Sequence, residues 1–221
     1  MQQVQEIISQ VRKVVVGKDP VIASILMAML AQGHVLLEDV PGVGKTTLAL
    51  AFSRTMDLCY KRMQFTPDVM PSDITGYTTI QLGESGGNYV PGAAMCNLFL
   101  ADEINRASSK TQSALLEVME ENSITVDGVT RAVPQPFLVI ATQNPAGSSG
   151  TQPLPESQLD RFMVRLSMGY PDRRSEVEML RRHQNAVSLD SVNRVISPQD
   201  LTLMQREVES IYVSDALFAY I

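Results

Sequence analysis

The chain has 221 residues, enough to bury a proper core in one large or two smaller domains. Its net charge of −6 argues against a general nucleic-acid binder, which needs a basic surface, but leaves room for a local basic pore or loop. Trp is absent and aromatics are scarce, which disfavours base-stacking platforms, and the longest apolar run, residues 21–31, is about half the length of a membrane span.

The N-terminus lacks the basic start and small-residue cleavage site of a signal peptide, so the cytosol is the expected location. Cys59 and Cys96 fit no disulfide or metal framework. Val4, Ile7, Ile8, Val11, Val14 and Val15 recur at helical spacing, with Gly17 where a C-cap belongs. Asp19-Pro20 predicts a second helix, Asp19 as its N-cap, that stops at Gly33. Gly17-Lys18 between them reads equally as part of a purine pocket or as a plain interhelix turn.

Val35-Leu36-Leu37 reads as a buried strand, followed by a loop from Asp39 to Lys45 and a helical pattern from Thr46. Strand, Gly-bearing loop and helix make a phosphate-binding arrangement. Gly42 and Gly44 let the backbone turn its N–H groups inward toward an anion. Lys45 is expected to reach the β- and γ-phosphates and Thr46 to ligate Mg²⁺, with Asp39, Pro41, Val43 and Thr47 completing the nucleotide contacts. The pattern G-x-x-x-x-G-K-[ST] wants Gly where this chain has Asp39, so other stretches must support the assignment.

Residues 59–65 read as a strand, and 66–76 are rich in caps and breakers. Short strands at 78–82 and 88–90 flank the Gly-rich turn 83–87, and this region reads as an insertion into the core fold. The apolar run ending in Asp102-Glu103 is a buried parallel strand presenting acids at its C-terminal edge, where open α/β sheets bind ligands. Alone it is merely a strand end. Downstream of a phosphate loop, Asp102 fits the Mg²⁺ shell and Glu103 fits polarisation of the attacking water.

Ser108 is expected to cap a helix through Glu121, and Asp127-Gly128 to turn a hairpin over 123–133. Residues 137–144 form a third buried strand. Read alone, Asn144 starts the turn at Asn144-Pro145; in a phosphate site it could hydrogen-bond the attacking water. After a loop at 146–155 come a short helix to Arg161 and a strand over 162–168. Tyr170-Pro171-Asp172 marks a boundary between a 1–169 core and a helical 170–221 segment, whose helices start at Asp172, Ser197 and Ser214. Leu201, Met204, Val208 and Ile211 share a helix face there, and a segment that stops inside its last helix reads as incomplete. His34 and His183 have no ligand partners at useful spacing and read as structural or surface residues.

Taken in order, residues 37–46, 64–68, 71–76, 100–107, 141–145 and 154–162 resemble the MoxR subfamily of AAA+ ATPases, a similarity running from about Val15 to the C-terminus. Asp39 at the first Gly position is familiar in that family. The resemblance implies a five-stranded parallel sheet flanked by helices, then a small α-helical lid. It implies a helix-2 insertion in 76–92 and a pre-sensor-1 hairpin at 123–133, both facing the pore of a ring.

It further implies that Asn144 is the sensor 1 residue and that Arg161 is an arginine finger reaching the neighbouring subunit's γ-phosphate, where the plain reading pairs Arg161 with Asp160. Gln64 could restrain Glu103 as a switch residue. Arg173, Arg174, Arg181 and Arg182 do not match the sensor 2 motif, which stays unassigned.

The implied activity is Mg-dependent ATP hydrolysis in a homo-oligomeric ring, a hexamer by family expectation, remodelling protein partners that include von Willebrand factor A-domain proteins. A DNA-translocating motor shares both insertions, but the acidic composition of the chain and the scarcity of basic or aromatic residues in 76–92 and 123–133 count against it. A nucleotide-binding scaffold without turnover is opposed by intact Lys45, Asp102, Glu103 and Asn144, and a GTPase by the missing Asn-Lys-x-Asp motif.

Overall fold

The computed structural model describes residues 2–39, 42–80, 87–144, 151, 154–184 and 188–220. Helices α1 (Gln2–Arg12) and α2 (Asp19–Leu30) lead into β1 (His34–Glu38), α3 (Lys45–Thr55) and β2 (Tyr60–Gln64). A short α4 (Pro71–Thr75) precedes the hairpin β3 (Gly76–Ile80) and β4 (Gly87–Pro91). Then come β5 (Leu98–Asp102), a 3-10 turn (Ile104–Arg106), α5 (Ser109–Glu121), the hairpin β6 (Ser123–Val126) and β7 (Val129–Ala132), and β8 (Leu138–Gln143). The chain continues through α6 (Glu156–Leu159), β9 (Phe162–Leu166), α7 (Arg173–Gln184), a 3-10 turn (Leu189–Ser191), α8 (Pro198–Glu209) and α9 (Asp215–Phe218).

Five strands form one parallel sheet in the order β2-β5-β8-β1-β9. Its central strands are apolar throughout because helices cover both faces. Val35 and Leu37 of β1, Leu98 and Leu100 of β5, and Leu138 and Ile140 of β8 pack into a core with α1, α2 and α3. The alternate residues Leu36, Phe99, Ala101, Val139 and Ala141 pack into a second core with α5. Strand period and burial thus agree residue by residue. The polar ends of these strands gather at one C-terminal edge.

Three expectations need correction. Gly17 is not a C-cap: α1 ends at Arg12, and Val14 and Val15 follow in a turn whose apolar side chains still face the core. Its φ of +70° and the closeness of Ser175, whose Oγ would lie 2.0 Å from an added Cβ, call for glycine there. Asp19 is the first residue of α2 rather than its cap, and it pairs with Arg12 at 2.7 Å. Ile211 lies beyond α8 and is exposed, whereas Leu201 of that helix is buried.

Both hairpins form where expected, and Asp127 and Gly128 both take positive φ, as their turn demands. The tip at 81–86, the loop at 145–150 and Pro41 lie outside the described residues, as do the side chains of Arg182 and His183. The segment after α7 does not stand apart. Val195 and Ile196 donate to the Thr55 carbonyl, Gln205 donates to Met29 O at 2.8 Å, and Ile196 and Leu201 join the first core.

His34 is structural. The Val139 N–H donates to its Nδ1, so the neutral ring carries its proton on Nε2 and donates it to Met119 O, each at 3.1 Å. Burial holds its pKa below the ordinary value. Between that lowered value and about 6.5, the unfolded chain therefore binds a proton that the folded chain refuses. Stability should be full above about pH 6.5 and fall as the pH drops below it, by at most about 1.4 kcal/mol per pH unit. Urea midpoints measured from pH 7.5 to 5.5 should show this slope in the wild type and lose it in His34→Gln; equal slopes would remove His34 as the cause.

Candidate nucleotide site

The loop after β1 is built on two left-handed glycines, Gly42 at φ +89° and Gly44 at φ +94°. Gly44 occupies the N-cap of α3, so the loop delivers its backbone to the positive end of that helix. Lys45, the first residue of α3, is buried, and its Nζ donates to Asp39 O at 3.0 Å. Burial pushes its pKa down, opposed by the nearby carboxylates of Asp102, Asp39 and Glu103.

Two cavities meet at this loop. One, of about 360 Å³, is lined by Lys45 and Thr46, by Arg62 and Gln64 from β2, and by Asp102 and Glu103 from β5 and its end. The other, of about 680 Å³, is largely apolar, with Val14, Val15 and Val16 on one side and Met179 and Leu180 of α7 on the other. Gly42 and Gly44 line both. Val43 and Thr47 line the apolar cleft, together with Val16 and Lys18 on either side of Gly17; Gly17 itself does not.

The acids at the end of β5 are held by residues with no obvious signal in the sequence. Thr142 Oγ1 donates to Asp102 Oδ1 at 2.6 Å and accepts from Glu103 N at 2.8 Å, fixing both residues at once. Arg62 donates to Asp102 Oδ2 at 2.7 Å and to Gln64 Oε1 at 3.0 Å. Gln64 is therefore engaged by Arg62, and the Glu103 carboxylate is paired with Arg106 at 2.9 Å. Glu103 takes φ +58°, a left-handed strain of the kind that gathers at functional sites.

Asn144 lies at the end of β8. Asn105 brackets its backbone, accepting from Asn144 N at 3.3 Å and donating to Asn144 O at 3.1 Å. The buried Oδ1 of Asn144 has no partner among the described residues, and Asn144 lines neither cavity. Asp102 and Asn105 were both within reach of a sequence reading, since both sit in the run 102–105. Arg62 and Thr142 were not, because only the parallel register brings β2 and β8 against β5.

One side chain stands elsewhere than expected, and a second has another partner than its plain reading gave. The Asp39 carboxylate does not face the phosphate cavity; it accepts from Ser167 Oγ at 2.8 Å, Gly169 N at 2.9 Å and Met168 N. It replaces the backbone partner that these amides lose where the β1–β9 ladder ends at Leu37 and Leu166. Arg161 lines neither of the two cavities and is half-exposed; it pairs with Glu120 at 2.7 Å, not with Asp160, and donates to Ser157 O.

Residues 34–164 match the family model described as ATPase family associated with various cellular activities (AAA). The chain belongs to the AAA ATPase family. Within this AAA ATPase family it stands with the MoxR-type members. It is 41% identical over 214 residues to Chaperone MoxR1 of Mycobacterium tuberculosis, covering 97% of this chain and 56% of that protein. It is 47% identical over 214 residues to the uncharacterized protein YeaC of Bacillus subtilis (strain 168), covering 97% and 67%. The crystal structure of an ATPase candidate from Cytophaga hutchinsonii superposes with a TM-score of 0.88 at 40% identity, covering 99% of this chain and 66% of that one. The AAA chain described here thus spans about half to two thirds of these relatives.

Thr142 offers a direct test of the network. Thr142→Val removes one donor and one acceptor from buried partners, which should cost about 1–3 kcal/mol of stability, and Thr142→Ser should recover most of it. Urea denaturation reads both. A valine variant as stable as the wild type would show that this hydroxyl does not hold the acids.

Proposed function

We propose that the chain binds ATP and hydrolyses it as part of a homo-oligomeric ring that remodels protein partners. The carrying observation is the meeting of Lys45, Thr46, Asp102 and Glu103 in one polar cavity that shares Gly42 and Gly44 with an adjoining apolar cleft. A triphosphate and a purine need those two environments side by side. Lys45 and the loop amides would bind the phosphates, and the Val14–Val16 segment and α7 would enclose the base.

The oxygen donors of this cavity suit a hard divalent cation, and Thr46 and Asp102 are the residues that would hold Mg²⁺. When bound, the ion supplies charge neutralisation at the phosphates. Glu103 would accept the proton of the attacking water, once its carboxylate leaves Arg106, and Asn144 would orient that water through its free amide oxygen. Lys45 is already in place where negative charge builds up, so little reorganisation is needed. Arg161, which lines neither cavity at the phosphate loop of its own chain, would complete the neighbouring subunit's site. That assignment makes turnover depend on assembly.

The relative named Chaperone MoxR1 supports a protein partner, and a von Willebrand factor A-domain protein is the class we propose. A cytoplasmic site of action fits this role, and no helix among the described residues is long and apolar enough to cross a membrane. The residues from 170 onward would act as the lid, with α7 over the base cleft. Among the described residues of the two hairpins the single cation, Arg131, lies 4.0 Å over the Tyr89 ring, which disfavours DNA as the translocated partner.

Steady-state ATPase assays on rings test this reading. Glu103→Gln should keep ATP binding and lose hydrolysis by about 10²-fold or more. Arg161→Ala should lose about 10³-fold per subunit at concentrations where the wild type assembles. Undiminished hydrolysis by Glu103→Gln would remove it from the chemistry, and normal turnover by Arg161→Ala would end the trans assignment.

A further inference from the structure

Residues 167–170 join β9 to α7 and are held from both sides. Asp39 takes their donors: the Ser167 hydroxyl and the amides of Met168 and Gly169. Lys18 takes their acceptors, its ammonium donating to Gly169 O at 3.1 Å, Tyr170 O at 2.9 Å and Met168 O. A carboxylate on the N–H side and an ammonium on the C=O side thus leave this short connector little freedom. Its neighbours are equally close: Gly17 lies against Ser175 in the first turn of α7.

The connector matters because of what it carries. Met168, Tyr170 and Pro171 line the apolar cleft, and α7, which follows directly, supplies Glu176, Met179 and Leu180 to the same cleft. Asp39 also reaches in the other direction, since its carbonyl accepts from the Lys45 ammonium. One residue therefore touches both the phosphate-binding lysine and the strand end that positions the base-side wall.

We propose that Asp39 and Lys18 are positioning residues that clamp residues 167–170, setting the base-side wall of the cleft against the phosphate loop, and that Asp39 replaces the expected glycine for this purpose rather than as a phosphate ligand. This rests on the reading of the cleft as a nucleotide site. Loosening the connector leaves the loop amides and Lys45 available but removes the preorganisation of the base-side wall. A ligand with a base should feel the loss, and a ligand made of phosphates alone should not.

The test compares wild type, Asp39→Gly, Asp39→Asn and Lys18→Met by calorimetry with ATP and with inorganic tripolyphosphate, and by amide hydrogen exchange without any ligand. Asp39→Gly restores the G-x-x-x-x-G-K-T pattern. It should bind ATP about tenfold more weakly, hold tripolyphosphate within about twofold, and exchange the Met168 and Gly169 amides at least about tenfold faster. Lys18→Met should show the same split between the two ligands. Asp39→Asn keeps one acceptor oxygen and should fall between wild type and Asp39→Gly, which preserves the comparison if the glycine variant does not fold.

Equal losses for ATP and tripolyphosphate would make Asp39 part of the phosphate site and overturn the proposal, as would unchanged exchange at Met168 and Gly169. If the wild type binds neither ligand, the ATP reading fails by itself, while the exchange rates of the ligand-free proteins still decide the clamp.

Discussion

A parallel sheet buried on both faces leaves its polar residues one way out, the C-terminal edge, and the rest of the structure follows from that constraint. Glu38, Gln64, Asp102 and Gln143 are the last residues of their strands, and Asp39, Glu103 and Asn144 come immediately after. The order β2-β5-β8-β1-β9 then decides which of them meet. The phosphate loop rises from β1, beside β8 with Asn144, and β8 lies beside β5 with the two acids. Lys45, Gln64, Asp102 and Glu103, far apart in sequence, come to line one cavity because β1, β2 and β5 all point the same way.

Electrostatics at that edge are settled before any ligand arrives. Asp102 is shared between Arg62 and Thr142, Glu103 is paired with Arg106, and Glu38 with Arg165 and Gln143. Asp39 spends its charge on amides and a hydroxyl. Lys45 is the exception. It is a buried ammonium whose only hydrogen bond among the described residues goes to a neutral carbonyl, with the surrounding carboxylates opposing the effect of burial. A buried cation that already points into its cavity can exchange that carbonyl for a phosphate with little rearrangement, which is how a preorganised site lowers a barrier. Glu103 differs, since its carboxylate is already paired with Arg106 and its backbone is left-handed.

Most of the fold was legible in the sequence because the strands are written twice, in apolar runs and in the polar residues that end them. Lys45, Thr46, Asp102 and Glu103 were visible for the same reason, as local motifs following a strand. What stayed hidden is whatever depends on register between strands. Arg62 and Thr142 look ordinary in sequence and become partners of Asp102 only because β2 and β8 flank β5. Asp39 is the clearest case. A motif read as a string treats it as a defect in a phosphate loop, while the structure turns its side chain toward the end of β9, where two amides have lost their ladder partners. Arg161 shows the converse limit, since a residue proposed to act on another subunit is not placed by the cavities at its own chain's phosphate loop.

The two cavities that share Gly42 and Gly44 are proposed to form one nucleotide site organised around Lys45. Calorimetric titration of ATP, in the presence of Mg²⁺, into the wild type and Lys45→Ala tests it most directly. The wild type should bind one ATP per chain saturably, and removing the ammonium should cost at least about tenfold in affinity, since charge-assisted hydrogen bonds contribute about 1.5–3 kcal/mol. Binding of equal strength in the two proteins, or none by the folded wild type at millimolar ATP, would contradict it.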